Sequence, residues 1–201
     1  MKAARILVAL AVVVTLTGCG ASRLMPGSKE QREPSMDQKE AALKADVITG
    51  ATLNAIKPAV HWANLVDQNP QAAELPSDPG ATDNVSRWAA IMTIVSKEQQ
   101  VSLIKQVERN WKKLGYSVTK VDLANTFPAI YATTPENFRL GFDVRGGGQF
   151  YLEVESPEAQ LAKFPDPTVT DSGTSYGNRP PRPNIRDDYW SSATSDPRQA
   201  Y

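Results

Sequence analysis

Cysteine and histidine supply much of the nucleophilic and metal-binding chemistry of proteins, and each occurs once in these 201 residues. His61 follows Pro58 by three residues and would have to act as the general base of any Ser-His-Asp triad. A zinc site needs several convergent histidine or cysteine ligands. The composition therefore predicts no metal ion and no cofactor, and it favours a structural or surface role for His61.

Paired carboxylates could instead support glycoside hydrolysis by general acid and base catalysis. Glu153 and Glu155 lie on one face of the last predicted strand, with Arg139, Asp143 and Arg145 expected opposite them across a hairpin. Charges of both signs that face each other across two strands are typical of a solvated sheet surface. We therefore predict no catalytic residue, and a cell-wall-modifying hydrolase that uses an acidic pair is the alternative hypothesis.

The position of the cysteine is more informative than its count. Lys2 and Arg5 precede an apolar run from Ile6 to Leu16, and the stretch TGC follows that run. This order is typical of a secretory signal peptide. The run is too short for a membrane-spanning helix, which needs about 20 apolar residues. We therefore predict a signal peptide over residues 1–18.

The stretch LTGC, which ends at Cys19, resembles the lipobox of bacterial lipoproteins. The resemblance implies that a diacylglycerol is attached to the sulfur of Cys19 and that the chain is cleaved between Gly18 and Cys19. It also implies a lipid-anchored location on the extracytoplasmic face of the cell membrane, because two or more acyl chains hold a protein firmly in a bilayer. Cleavage would remove two positive charges from a precursor of zero formal charge, so we expect no nucleic-acid partner.

Composition divides the mature chain into three regions. Residues 19–44 are polar, charge-mixed and poor in apolar periodicity, which is typical of a flexible tether. Residues 45–156 are long enough for one domain with a single core. Residues 157–201 contain seven prolines and few aliphatic side chains, which predicts a disordered tail. With Cys19 lipidated, no disulfide can form within the chain, so the core must hold the domain together.

The clearest element of the domain is a helix that begins at Ser96 and ends before Gly115. Ser96 and Gln99 have the spacing of a capping box, in which each side chain bonds the backbone N–H of the other residue. Gly115 can adopt the left-handed conformation that often ends a helix. The apolar residues between them share one stripe at helical spacing and are Val101, Ile104, Val107, Trp111 and Leu114.

Alternating apolar and polar residues predict two strands, Phe138–Arg145 and Gln149–Glu155, joined by a glycine-rich hairpin loop. The order of elements predicts an α+β two-layer sandwich, with a mostly antiparallel sheet of about five strands, two helices on one face and disordered flanks. A parallel crossover around the helix after Ser96 is the alternative. The other predicted elements are a helix near 44–56 and strands within 87–95, near 118–123 and near 129–133.

Part of the domain resembles a group of small exported lipoproteins of actinobacteria whose function is unassigned. The resemblance covers about 70 residues, in the stretches NWKKLGYSV, FPAIYATTPENFRLGFDV and FYLEVESP. It implies a tethered domain outside the cytoplasm and implies no catalytic residue. The residues that carry it are Trp111, Gly115, Tyr116, Pro128, Tyr131, Pro135, Ser156 and Pro157.

Two groups of residues are candidate binding surfaces. Lys105, Arg109 and Lys112 share the outer side of the predicted helix and could contact anionic lipid headgroups or an anionic wall polymer. Tyr189 and Trp190 in the tail could anchor an envelope protein. Together with the predicted membrane anchor, these surfaces favour a non-catalytic binding or accessory module of the cell envelope.

Overall fold

The computed structural model describes residues 35–65, 80–124, 126–167 and 182–192. The predicted signal peptide, Cys19 and most of the predicted tether lie outside these residues. Within the described ranges, no helix is long and apolar enough to cross a membrane. The helices and strands, in chain order, are α1 (Gln38–Leu53), β1 (Trp62–Leu65), β2 (Thr82–Asp83), β3 (Ser86–Ile91), α2 (Lys97–Lys113), β4 (Ser117–Asp122), β5 (Ala129–Thr133), β6 (Arg139–Arg145), β7 (Gln149–Glu155) and β8 (Ala159–Gln160).

The main sheet has six strands in the order β1-β3-β7-β6-β5-β4, and every neighbouring pair is antiparallel. The short strands β2 and β8 pair separately. These findings confirm the α+β class and the antiparallel sheet, while β1 adds a strand that the sequence did not predict. β3 and β4, on either side of α2, run in the same direction but are separated by three strands, so the crossover creates no parallel pairing.

The two helices lie on one face of the sheet, and the core fills the space between the layers. Trp111 on α2 is fully buried, and its indole Nε1 donates a hydrogen bond of 3.0 Å to Thr52 Oγ1 on α1. Phe142 and Phe150 stack across β6 and β7 with ring centroids 5.1 Å apart. The alternation predicted for these strands is confirmed, because their buried apolar side chains are Leu140, Phe142, Val144, Phe150, Leu152 and Val154.

Helix α1 begins six residues before the predicted start at Lys44, so the assignment of residues 35–44 to a tether was wrong. Asp37 is the N-cap residue, and its Oδ1 accepts a hydrogen bond of 2.8 Å from the backbone N–H of Glu40. Ala41 and Ala42 are fully buried, since side chains this small allow the helix to pack closely on its neighbours. The first turn is therefore stabilised by a cap and by burial that apolar periodicity alone does not reveal.

Helix α2 begins and ends where it was predicted to, but its first turn lacks the predicted capping hydrogen bonds. Gly115 has φ = +79°, and the N–H of Tyr116 bonds the carbonyl of Trp111 at 2.9 Å, which is a Schellman arrangement. At the other end, the predicted capping box does not form: the Ser96 side chain makes no capping hydrogen bond. The backbone N–H of Ser96 instead donates to the carbonyl of Trp190 at 2.8 Å.

The predicted disordered tail is also corrected in its described parts, 157–167 and 182–192. β8 pairs with β2, and the N–H of Gln160 donates to the carbonyl of Met36 at 3.0 Å. Ile185 forms a parallel bridge with Thr93, and Trp190 is fully buried. Burial of one large aromatic side chain offsets much of the entropy that is lost when a short segment becomes ordered. The average composition of 45 residues does not reveal a single buried side chain of this kind.

A candidate binding surface on the open sheet face

Side chains that alternate with the core residues of β3, β5, β6 and β7 lie on the face of the sheet opposite the helices. We call this surface the open face. Most of its side chains are half-buried or exposed, and Gly141, beneath the Tyr131 ring, is buried. At the β1 edge the same side of the sheet ends in Ala63 and Ala90, which are fully buried. The open face comprises Trp88, Tyr131, Arg139, Gly141, Asp143, Arg145, Tyr151, Glu153 and Glu155.

Three strands bring a cation close to two aromatic rings on the open face. The guanidinium carbon of Arg145 lies 4.4 Å from the ring centroid of Trp88 and 5.3 Å from that of Tyr151. Arg145 Nε also donates to Asp143 Oδ2 at 2.8 Å, and the hydroxyl of Tyr151 donates to Gln149 Oε1 at 3.0 Å. Cation–π contacts and these hydrogen bonds limit the rotation of all three large side chains. The cluster is thus held in one arrangement.

Beside this cluster, a glycine allows a tyrosine ring to lie close to the sheet. Gly141 pairs with Tyr131 across β5 and β6. A Cβ atom at Gly141 would lie 3.4 Å from Cε1 of the Tyr131 ring, which is van der Waals contact distance, so the ring lies directly over this position of β6. Tyr131 is 39% exposed, and its ring is therefore available to a partner. Sequence alternation predicted the strands but not this contact.

Charges of both signs surround the aromatic side chains. Arg139 forms an ion pair with Glu155, as the predicted cross-strand pattern requires. Burial raises the pKa of the Glu153 carboxyl above its usual value of 4.5. The charges of Glu155 and Asp143 also raise this pKa, while Arg145 and a hydrogen bond with Ser86 lower it. Glu153 is therefore a weaker acid than an ordinary glutamate, and it lies on a surface that carries charges of both signs.

Glu153→Gln is expected to make the protein more stable than the wild type at pH 7. Because its pKa is raised, Glu153 binds a proton more tightly in the folded state, so the ionised carboxylate disfavours folding at neutral pH. This cost disappears as the pH falls through the raised pKa towards 4.5, where the unfolded chain is protonated as well. Urea unfolding from pH 7 to pH 4 measures the difference, which should shrink steadily. A wild type more stable than the variant at pH 7 would contradict the expectation.

The predicted cationic surface lies on the exposed side of α2, away from the open face. Lys105, Arg109 and Lys112 are all exposed. Lys112 Nζ lies 2.6 Å from Glu108 Oε1 one helical turn away, so the carboxylate neutralises part of the patch. Among the tail residues, Tyr189 is 43% exposed but Trp190 is fully buried. The interpretation of Trp190 as a surface anchor was therefore wrong: its ring packs inside its own domain.

His61 lies between α1 and β1, at an exposed position. Its backbone N–H donates to Thr93 Oγ1 at 2.8 Å, and its carbonyl accepts from the N–H of Met92 at 2.7 Å. Within the described ranges, no group of three His, Cys, Asp or Glu side chains could hold a metal ion. A Gly-x-Ser-x-Gly pattern, which is typical of a nucleophile elbow, occurs at residues 173–177, so the expectation that the sequence contains no such pattern was wrong; these residues lie outside the described ranges.

One further concave surface lies on the outer side of α1. Leu43 and Val47 are 48% and 71% exposed, and with Ile48 they line a shallow hollow of about 270 Å³. Lys44 crosses its rim, with Nζ 3.2 Å from both Glu40 Oε1 and Glu136 Oε1. The hollow is mostly aliphatic and lacks the convergent polar groups that orient a small ligand.

Comparison with known proteins adds no assignment: no protein family model matches the chain, and neither a curated protein nor a solved structure shows significant similarity to it.

Proposed function

We propose that this protein is a membrane-anchored bacterial lipoprotein that acts as a non-catalytic binding or accessory module of the cell envelope. The observation that carries the proposal is the ordered cluster of Trp88, Arg145 and Tyr151 on the open face. Trp, Tyr and Arg are the residues that contribute most binding energy in protein interfaces. A cluster already held in one arrangement loses little further entropy when a partner binds.

The charges of the open face favour an envelope protein as the partner over an anionic wall polymer. Arg139 and Arg145 are outnumbered there by Asp143, Glu153 and Glu155. A surface with both signs and a slight negative excess repels a polyanion but can be matched by a protein surface of complementary pattern. The exposed cations of α2 are a weaker candidate for anionic headgroups or polymers, since Glu108 pairs with one of them.

The anchor in this proposal rests on the sequence of the first nineteen residues. A lipid on Cys19 would hold the domain at the outer surface of the cell membrane, where an envelope partner is within reach. Anchoring also raises the local concentration of the domain near other membrane-bound proteins. The proposed function therefore needs only modest affinity at the open face.

Co-purification from native membranes tests the proposal. The full-length protein with a C-terminal affinity tag is isolated after mild detergent treatment, as wild type, as Trp88→Ala and as the matched control Lys105→Ala. We expect a partner protein that is retained by Lys105→Ala and reduced at least about 30-fold by Trp88→Ala, as for a residue central to an interface. Equal recovery with all three forms would reject the open face as the site.

A hydrolase acting on wall glycans is the second candidate, and one observation favours it. Glu153 has a raised pKa and shares the open face with Asp143 and Glu155, an arrangement that could supply an acid and a base. This hypothesis requires that purified protein release soluble fragments from cell-wall material and that Glu153→Gln abolish the release. Absence of hydrolysis by the wild type, together with partner binding that Glu153→Gln retains, supports the binding module instead.

A further inference from the structure

Residues 182–192, which we call the tail segment, are bound to the domain in the manner of a peptide ligand. The tail segment runs beside residues 92–96, which we call the docking strand, between β3 and α2. Fourteen residues, 168–181, separate it in sequence from the preceding described residue, Pro167. Its contacts are independent of the open face.

Main-chain hydrogen bonds hold the tail segment along the docking strand. The N–H groups of Asn184 and Ile185 donate to the carbonyl of Met92 at 3.0 and 3.1 Å, and the N–H of Ile94 donates back to the carbonyl of Ile185 at 2.8 Å. The bridge between Thr93 and Ile185 is parallel. This pattern is β-augmentation, in which an extended peptide adds to a free strand edge and gains affinity from its backbone.

Specific side-chain contacts fix the register of the tail segment. Trp190 is fully buried, and its indole Nε1 donates to the carbonyl of Pro58 at 3.0 Å. Ser191 is also buried, and its Oγ donates to the carbonyl of Ile94 at 2.6 Å. Without these two donors, the carbonyls of Pro58 and Ile94 would each lose a hydrogen bond. Trp190 is therefore the anchor of the bound segment.

The tail segment also stabilises its own bound conformation. Asp187 Oδ1 accepts from the backbone N–H groups of Tyr189 and Trp190 at 2.9 and 2.8 Å, and the N–H of Asp187 donates to Ser191 Oγ at 3.2 Å. These local bonds form a turn that presents the Trp190 ring. A peptide that forms such a turn by itself loses less entropy on binding. The pattern Asp-x-x-Trp-Ser thus carries the recognition information.

We propose that the docking strand and the pocket for Trp190 form a peptide-binding site, which accepts the tail segment of its own chain and also that of a second copy. The contacts are identical in the two cases, because each bond described above either joins the tail segment to the domain or lies within the tail segment, and none requires a particular connection. A linker of fourteen residues can span at most about 50 Å, which is enough to reach an adjacent domain. Exchange of an identical element is a low-cost route to a dimer.

Concentration decides which tail segment is bound. A short connection gives the tail segment of the same chain an effective concentration in the millimolar range. In dilute solution the intramolecular contact therefore prevails, and exchange becomes measurable only when copies are concentrated. Copies confined to one membrane, as in the proposed function, would meet that condition, but the site itself does not depend on the anchor.

Binding of a separate peptide tests the site directly. The probe is a fluorescently labelled synthetic peptide of residues 182–192, titrated into the full chain carrying Trp190→Ala, whose own tail segment binds weakly. We expect saturable binding, with at least about 30-fold weaker binding of a Trp190→Ala peptide and a near-normal affinity for a peptide with Asp188→Ala, which changes an exposed side chain. The proposal would be overturned if the Trp190→Ala chain is folded, as judged by circular dichroism, but does not bind the peptide.

Disulfide trapping tests exchange in chains that retain Trp190. Chains with Thr93→Cys and chains with Ile185→Cys, each also carrying Cys19→Ser, are mixed at increasing concentration under mild oxidation. Because residues 93 and 185 form a bridge, we expect a disulfide-linked heterodimer whose yield rises with concentration. The matched control pairs Lys105→Cys with Ile185→Cys. Heterodimer yields no greater than those of the control would show that the tail segment binds only its own chain and would reject exchange.

Discussion

Asp46→Ala is expected to lower the free energy of unfolding by about 3–5 kcal/mol, because it leaves a buried guanidinium without its counter-charge. Arg87 on β3 is only 3% exposed, and its Nε lies 3.2 Å from Asp46 Oδ1 on α1. Its Nη2 donates to the carbonyl of Pro165 at 2.6 Å, and the guanidinium lies 5.2 Å from the ring centroid of Phe164. Within the part of the chain that the structure describes, neither Nε nor Nη1 of Arg87 has a hydrogen-bond partner, so little remains to compensate the charge once Asp46 is removed. Urea unfolding at pH 7 measures the loss.

Two further variants distinguish the effect of burying the ion pair from the effect of ion pairing alone. Glu108→Ala removes the exposed pair with Lys112 and should cost less than about 1 kcal/mol. The double variant Asp46→Leu with Arg87→Met should be close to the wild type in stability or exceed it. Burial raises the pKa of the Asp46 carboxyl, and Arg87 offsets this effect only in part, so the pair gains less than its burial costs. A loss for Asp46→Ala as small as that for Glu108→Ala would contradict this account.

Trp111→Ala is expected to cost a further large amount, about 3–5 kcal/mol, because it empties the junction between the two helices and the sheet. Trp111 is fully buried, and its indole bonds Thr52 on α1. The variant loses both the apolar contacts and the hydrogen bond that joins α2 to α1. Thermal and urea unfolding of the variant measure the effect.

Matched variants divide this cost between packing and hydrogen bonding. Thr52→Val leaves the buried indole N–H without an acceptor and should cost about 1–3 kcal/mol. Leu114, predicted as the last member of the apolar stripe, is instead 41% exposed, so Leu114→Ala should change stability by less than about 0.5 kcal/mol. A loss for Trp111→Ala no larger than that for Leu114→Ala would show that the helix stripe does not form the core.

The sequence predicted those parts of the fold that local patterns determine. The hairpin of β6 and β7 alternates strictly, and Gly147 and Gly148 adopt φ = +83° and +74° in its loop. The C-terminal end of α2 follows from Gly115 alone. In these places the residues that determine the structure are neighbours in sequence or lie on one helix face, so periodicity and turn chemistry suffice.

Contacts distant in sequence were not predicted. Ser96 has the residue types of a capping box around it, yet its N–H bonds Trp190, which lies 94 residues further along the chain. A buried tryptophan in a segment rich in proline and polar residues has no local pattern to reveal it. The early start of α1 was missed for a related reason, since Ala41 and Ala42 are buried by neighbours that apolar periodicity does not identify.

The open face contains both a contact that local sequence patterns predicted and contacts between distant residues that they did not. Its charged residues on β6 and β7 were predicted to face each other, and the pair Arg139 and Glu155 confirms this. Trp88 comes from β3, on the far side of α2 in the chain, and only the sheet order places it beside Arg145. The aromatic cluster therefore could not be inferred without the strand order.

The most direct test of the central claim is site-specific photo-crosslinking in intact cells. A photoreactive p-benzoylphenylalanine is introduced at Tyr131 on the open face or at Lys105 on α2, and the adducts are compared after irradiation. The proposed function predicts one discrete protein adduct from position 131 and little or none from position 105. Adducts from position 105 alone, or none from position 131 in cells that produce the protein normally, would contradict the claim that the open face binds a partner.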